Sequence, residues 1–135
     1  MVRHTALVAD SDTILMSILA EIETFAAMPD AAFDEPDPYV FAMYADGVPY
    51  EPAFWNGGPL SVVRRMAFSR AARRLEGRGL VRRVTEKGRN RVRCLVPTAA
   101  GLARALALVG DRADRQAVRE GLRRTRWGTE LANAI

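Results

Sequence analysis

Ile14, Leu15, Ile18, Leu19, Ile22 and Phe25 recur at steps of three and four residues early in the chain. That period predicts an amphipathic helix over 12–27, with Glu21 and Glu23 off the apolar stripe. Asp10-Ser11-Asp12 offers short polar oxygens and negative charge where a helix begins, and Pro29 stops the run. Between 29 and 59 the period is lost. This stretch holds six of the seven prolines, together with Tyr39, Phe41, Tyr44, Tyr50, Phe54 and Trp55. Flexible linkers are poor in aromatic rings, so the pattern predicts an ordered connection with one short helix near Tyr39–Ala45, ended by Asp46-Gly47. Core packing is the expectation for Tyr39, Tyr44, Phe54 and Trp55, and a small-molecule pocket is the alternative.

Helical spacing returns at Ser61. With about 100° per residue, Phe68, Ala71, Ala72 and Leu75 share one face and Arg70, Arg73 and Arg74 the opposite one. Val62, Val63 and Met66 fall on the arginine face. Two helices with a break of phase near Ala67–Ser69 resolve this conflict, the first over Leu60–Ala67 and the second over 69–78 with Ser69 as its cap. One continuous helix, buried on both sides, is the alternative. Gly77 and Gly79 suit a helix end. Two short runs then flank a turn at Lys87-Gly88-Arg89-Asn90, which predicts a β-hairpin. Val92, Cys94 and Val96 make its apolar face, against Arg91, Arg93 and Leu95. Thr98 caps a further helix with the stripe Leu102, Ala105, Leu106 and Val109. A basic helix over 111–126 and a tail with Trp127, Leu131 and Ile135 complete the chain. The fold class is mainly α with a small β-hairpin, in one domain over 1–135.

Charge changes this picture more than composition does. Of the 20 basic residues, twelve lie between Ser61 and Cys94, with only Glu76 and Glu86 against them. The first 60 residues carry one base, Arg3, and ten acids. A concentrated basic segment on ordered elements is the electrostatic footprint of a phosphate-backbone binder. The acidic stretch Asp30–Asp37 is expected to be a solvated loop, with shielding of the basic face as the sharper alternative.

Other chemistries find little support in the residues. A single cysteine, Cys94, forms no internal disulfide and is expected to be a small core residue rather than a redox sensor. A single histidine, His4, excludes the usual Cys/His zinc sites and leaves a serine triad a poor prospect. There is no phosphate loop, no paired carboxylates on a strong element, no membrane-length apolar run and no signal-peptide pattern. The expectation is a cytoplasmic protein that is not an enzyme, with no catalytic residues, no metal and no cofactor.

Helix, helix, basic hairpin, helix is the order of a winged helix-turn-helix. The phrase SRAARRLEGRGLVRR, a Gly-Arg turn and then LVPTAAGLARA resemble the recognition helix, wing and following helix of MarR-like bacterial regulators. A serine opens the recognition helix in that family. Leu75-Glu76 with Gly79-Leu80 match its closing phrase, and Thr98 with Gly101 match its next helix start. The resemblance spans 60–108. It implies a winged helix-turn-helix with extra N- and C-terminal helices, acting as a sequence-specific double-stranded DNA-binding transcriptional regulator. The recognition helix 69–78 would enter the major groove, and the wing 86–92 would lie on the minor groove or backbone. The implied DNA-binding residues are Ser69, Arg70, Arg73, Arg74, Arg78, Arg83, Lys87, Arg89, Asn90 and Arg91. Arg82 and Arg83 are adjacent on a strand and so point to opposite faces, which lets only one of them meet DNA. A homodimer is expected, with 10–28 and 111–135 as dimerisation helices through Leu15, Ile18, Leu19, Ile22, Leu122, Trp127 and Leu131. The alternatives are a winged-helix protein-interaction module and a non-specific nucleic-acid accessory protein of a phage, plasmid or replication system. No particular effector is implied.

Overall fold

The first apolar stripe builds the centre of the protein. The computed structural model describes residues 8–89 and 91–135, so Arg3, His4 and the predicted site residue Asn90 lie outside the described residues. Helix α1 (Asp10–Ala27) buries Ile14, Leu15, Ile18, Leu19, Ile22 and Phe25 as their spacing predicts. Its start differs from expectation, because Ala9 is the N-cap and no side chain caps the helix. Asp10 and Asp12 instead lie in the first turn, where negative charge suits the helix end. They pair with Arg64 at 2.7 Å and Arg104 at 3.7 Å.

The Pro-rich stretch is ordered and pinned by its rings. A 3-10 turn (Asp30–Phe33) leads to α2 (Pro38–Ala45), β1 (Val48–Pro49) and α3 (Pro52–Asn56). Helix α2 is the predicted short helix, capped by Asp37, which accepts from the Val40 N–H at 2.8 Å. The buried Glu21 of α1 is the main anchor. Its carboxylate accepts from the Tyr39 hydroxyl and, at 3.2 Å, from Trp55 Nε1. Two of the four rings assigned to the core do not enter it, since Phe54 is 74 % exposed and Tyr44 41 %. Successive helical side chains diverge by about 100°, so the five-residue α3 turns Trp55 inward and Phe54 outward. The Tyr44 ring lies under the Arg126 guanidinium at 5.6 Å.

The segment from Ser61 corrects the two-helix expectation. Helix α4 (Val62–Gly77) runs without interruption, and the helix before it is α3 rather than Leu60–Ala67. Its cap is Ser61, whose Oγ accepts from the Arg64 N–H at 3.1 Å, so Ser69 is a mid-helix residue and not a cap. Nothing between 62 and 77 breaks a helix. The conflict that suggested a break is resolved by exposure: Val62, Val63 and Met66 are 61 %, 70 % and 53 % accessible. Burial on both sides is therefore also excluded.

Strands β2 (Val81–Thr85) and β3 (Val92–Pro97) form the predicted antiparallel hairpin. The two-residue β1 pairs with the other edge of β3, giving the order β1-β3-β2. This third strand was not legible beforehand. It makes β3 the central strand and buries Leu95, assigned to the polar face, beside Cys94 and Val96. Helix α5 (Ala99–Val109), a 3-10 turn (Gly110–Arg112), α6 (Arg115–Arg123) and α7 (Thr129–Ala132) follow. The protein is mainly helical with a small three-stranded antiparallel sheet, and among the described residues no helix is long and apolar enough to cross a membrane.

The stripes assigned to a dimer surface are spent inside the chain. Leu15, Ile18, Leu19, Ile22 and Leu122 are in one core, and Trp127 and Leu131 pack against it. Gly121 explains the fit, because a Cβ there would stand 2.1 Å from the Ile22 carbonyl oxygen. The missing side chain lets α6 close on α1, and each stripe covers the other. Gly121→Ala is expected to lower stability by about 1–3 kcal/mol through overpacking. Gly77→Ala, where a Cβ meets nothing within 4 Å, should be neutral or gain up to about 1 kcal/mol of helix propensity. Urea unfolding of the two variants beside the parent checks both.

Candidate nucleic-acid interface

Helix α4 is oriented by its buried side. Phe68, Ala71, Ala72 and Leu75 face the core, which turns Arg70, Arg73 and Arg74 to solvent. The helix closes in a Schellman arrangement. Gly79, with φ 74°, donates to the Glu76 carbonyl at 2.9 Å, and the Leu80 N–H donates to the Leu75 carbonyl at 2.9 Å. This closure sends β2 back along α4 at a fixed angle. Thr98 then ties the turn to the next helix. Its hydroxyl donates to the Gly79 carbonyl at 2.6 Å and accepts from the Gly101 N–H at 3.0 Å, while its own N–H reaches the Leu80 carbonyl at 3.1 Å. Gly101 is required there, since a Cβ would come within 1.9 Å of that Leu80 carbonyl oxygen.

The twelve basic residues of 61–94 divide into two sets. Arg64 pairs with Asp10, Arg83 with Glu76 at 2.8 Å and Arg93 with Asp46 at 2.7 Å. The other nine form no ion pair among the described residues: Arg65, Arg70, Arg73, Arg74, Arg78, Arg82, Lys87, Arg89 and Arg91. All nine are exposed. The structure thus separates fasteners from free cations. Of the adjacent pair on β2, the predicted site residue Arg83 is the fastener and Arg82 the solvent-facing partner. Arg78 stands exposed at the C-cap of α4. Lys87 and Arg89 occupy the hairpin turn, where Glu86 and Arg91 close the strands by a 3.0 Å backbone hydrogen bond and Gly88 takes φ 76°.

Between α4 and the hairpin lies a cleft of about 310 Å³, lined by Tyr50, Pro52, Arg65, Ser69, Arg91 and Val92. Ser69 enters the site here, on the wall of the cleft. The Tyr50 hydroxyl is buried with no hydrogen-bond partner among the described residues, and burial pushes its pKa up to about 12. Arg65 and Tyr50 were not singled out from sequence. Arg65 falls in the stretch misassigned to a separate helix, and Tyr50 reaches the site only through β1. No residue of the acidic stretch pairs with these nine cations among the described residues. Of its members, Asp30 pairs with Arg124 at 2.9 Å, and the rest of Asp30–Asp37 forms no ion pair among the described residues. Cys94 is a core residue as expected, and burial raises its thiol to about 11.

No protein-family model, curated protein or solved structure matches the chain. The functional assignment therefore rests on the geometry of this surface.

One outcome follows from a fastener and one from the buried Tyr50 hydroxyl. The Glu76 carboxyl is held below its usual range, first by the Arg83 backbone N–H at 2.9 Å and then by the guanidinium. A carboxyl that titrates lower in the folded than in the unfolded state stabilises above its unfolded pKa of about 4.3. That contribution disappears as pH falls through the folded value. Glu76→Gln should cost less than about 1 kcal/mol near pH 7, since the pair is partly exposed and screened, and the difference from the parent should vanish in acid. Denaturant titrations at several pH values decide it. Tyr50→Phe removes an unsatisfied buried hydroxyl and should leave stability unchanged or raise it by up to about 1 kcal/mol, measured the same way.

Proposed function

We propose that this protein binds double-stranded DNA as a winged helix-turn-helix transcriptional regulator. The carrying observation is the set of nine cations without an acidic partner among the described residues, gathered on the outer side of α4 and on the adjoining hairpin. A protein surface that held such a set for its own stability would pair it, as it pairs Arg64, Arg83 and Arg93. The order α2, β1, α3, α4, β2, β3 and the sheet order β1-β3-β2 suit this assignment. In it α3 and α4 are the helix-turn-helix, β1 is the short third strand and β2–β3 is the wing. They also support the MarR-like resemblance of 60–108, with the recognition helix redrawn from 69–78 to the whole of α4.

Each part has a chemical task. An α-helix fits the major groove, where an arginine fork grips guanine O6 and N7 or a phosphate. Arg70, Arg73 and Arg74 take that role, and Ser69 and Arg65 line the wall beside it. Lys87, Arg89 and Arg91 on the wing lie against the minor groove or backbone, and the cleft between wing and helix, with Arg65 and Arg91, suits a backbone phosphate. Each chain presents one helix and one wing, enough for one half-site. With the α1 and α6 stripes buried, pairing of two chains has to use some other surface. A second assignment, a protein-interaction module, is favoured by one observation only: the exposed Val62, Val63, Met66 and Phe54.

The deciding experiment is selection and sequencing of random duplex fragments bound by the purified protein at about 0.15 M salt. Enrichment of one motif is expected. Binding without enrichment would indicate an accessory role, and no binding would overturn the proposal. On the enriched site, Arg73→Ala should weaken binding by about 1–3 kcal/mol and relax preference at one position if Arg73 reads a base. If it holds only phosphate, the loss is equal on all sequences and the salt slope falls by about one. Unchanged affinity for Arg70→Ala, Arg73→Ala and Arg74→Ala alike would remove α4 from the interface.

A further inference from the structure

The side of α4 turned farthest from the core is not its arginine cluster alone. With about 100° per residue, the buried Phe68, Ala71, Ala72 and Leu75 centre on one side of the helix. Val62, Met66, Ser69 and Arg73 then form a ridge on the opposite side, all within about 60° of one another. Val63, Arg70 and Arg74 flank the ridge on one side and Arg65 on the other. On and beside the first two turns of the ridge the side chains are apolar and exposed, at 61 % for Val62, 70 % for Val63 and 53 % for Met66. The last turns are cationic. The whole ridge from Val62 to Arg73 spans about 16 Å.

We infer that Val62, Val63 and Met66 are specificity-determining residues that read the 5-methyl groups of thymines in the major groove. The inference rests on the DNA-binding assignment above and adds to it which bases the helix prefers. Thymine is the one base that offers an apolar group on its major-groove edge, and aliphatic side chains are its natural contacts. In helix-turn-helix docking, the N-terminal residues of the recognition helix meet base edges, and these three fall within the first five positions of α4. Charge complementarity selects the occupant. A protein partner covering Val62 and Met66 would also cover or abut Arg65, Arg70 and Arg73, none of which has an acid against it among the described residues. A duplex supplies phosphates for the arginines and methyl groups for the valines in one surface. The selected site should accordingly hold thymines where the helix start docks, and guanines or phosphate contacts toward Arg70 and Arg73.

The test replaces thymines of the selected duplex, one at a time, by deoxyuridine, which removes only the methyl group. Loss of one buried methyl should weaken binding by about fourfold at one to three positions. In Val62→Ala, Val63→Ala or Met66→Ala, at least one of those deoxyuridine effects should disappear, so that the two changes are not additive. These side chains are exposed, so the variants should fold as the parent does, which circular dichroism checks. A selected site indifferent to every deoxyuridine overturns the inference and leaves the DNA-binding assignment standing. So do deoxyuridine effects that persist in all three variants. Sequence preference untouched by the three substitutions returns the apolar turns to a protein partner and likewise overturns it. Failure to bind any duplex overturns both, and is distinguished by the first selection alone.

Discussion

The burial of α1 governs the rest of the molecule. Its stripe from Ile14 to Phe25 is almost wholly inaccessible, and α3, α4, α5 and α6 all pack against it. Fully burying a side chain such as Leu or Ile is worth about 1.5–3 kcal/mol, so this one helix carries much of the driving force. Close approach has to be possible on several sides at once. Gly121 permits it for α6, where any side chain would meet the Ile22 carbonyl. Glu21 extends the control to the Pro-rich stretch by accepting from Tyr39 and Trp55, which sit 18 and 34 residues away. Two neutral donors satisfy a buried carboxylate without importing a cation. A segment that lacks a period of its own is thereby held against the helix that has the strongest one.

The orientation of the candidate interface is a consequence. Phe68, Ala71, Ala72 and Leu75 bind α4 to α1 and the sheet, and the opposite side has no option but solvent. The ion pairs at its margins are partly exposed, and such pairs contribute only about 0–1 kcal/mol each. Their weight is geometric. Asp10 holds Arg64 at the start of α4, Glu76 holds Arg83 where β2 leaves it, and Asp46 holds Arg93 on the central strand. Three acids therefore locate the frame, and the acidic excess of the first 60 residues does not extend over the exposed arginines. At about 0.1 M salt, charges more than about 10 Å apart are largely screened, so distant acids leave that surface strongly positive.

Periodic segments were legible and aperiodic ones were not. The helix over 12–27, the short helix near Tyr39–Ala45, the hairpin and the Thr98 cap all follow from local pattern, and local pattern decides them physically. The third strand was invisible because Val48-Pro49 is two residues long and is defined by pairing with Leu95 and Cys94, nearly 50 positions away. Long-range pairing leaves no periodic trace. The same strand explains why Leu95 is buried and why Tyr50 joins the cleft. The dimer surface was misassigned for a related reason: an amphipathic stripe states that something must cover it, not whether the cover is another copy or another part of the chain. Among the candidate residues, the exposed arginines of α4 and the hairpin stood out by density, whereas which of Arg82 and Arg83 faces solvent depended on where Glu76 would stand.

The misjudged phase break in α4 carries the most physical information. Three large apolar residues on a cationic face predict two helices, because exposure of Val62, Val63 and Met66 is unfavourable by the same coefficient that builds the core. Single exposed apolar residues are ordinary on any surface. Three within five positions, on and beside the ridge opposite the buried face, form a contiguous patch of the kind that marks contact with another molecule. Helix continuity removes the structural explanation for them, since nothing in the fold uses their side chains. What remains is a single rigid element whose first turns offer apolar contacts and whose later turns offer guanidinium groups, aligned by the helical repeat itself. A surface complementary to it has to offer apolar groups at one end and anions or hydrogen-bond acceptors at the other, over about 16 Å. A major groove containing thymines, bounded by phosphates on both strands, meets that description without any rearrangement of the helix.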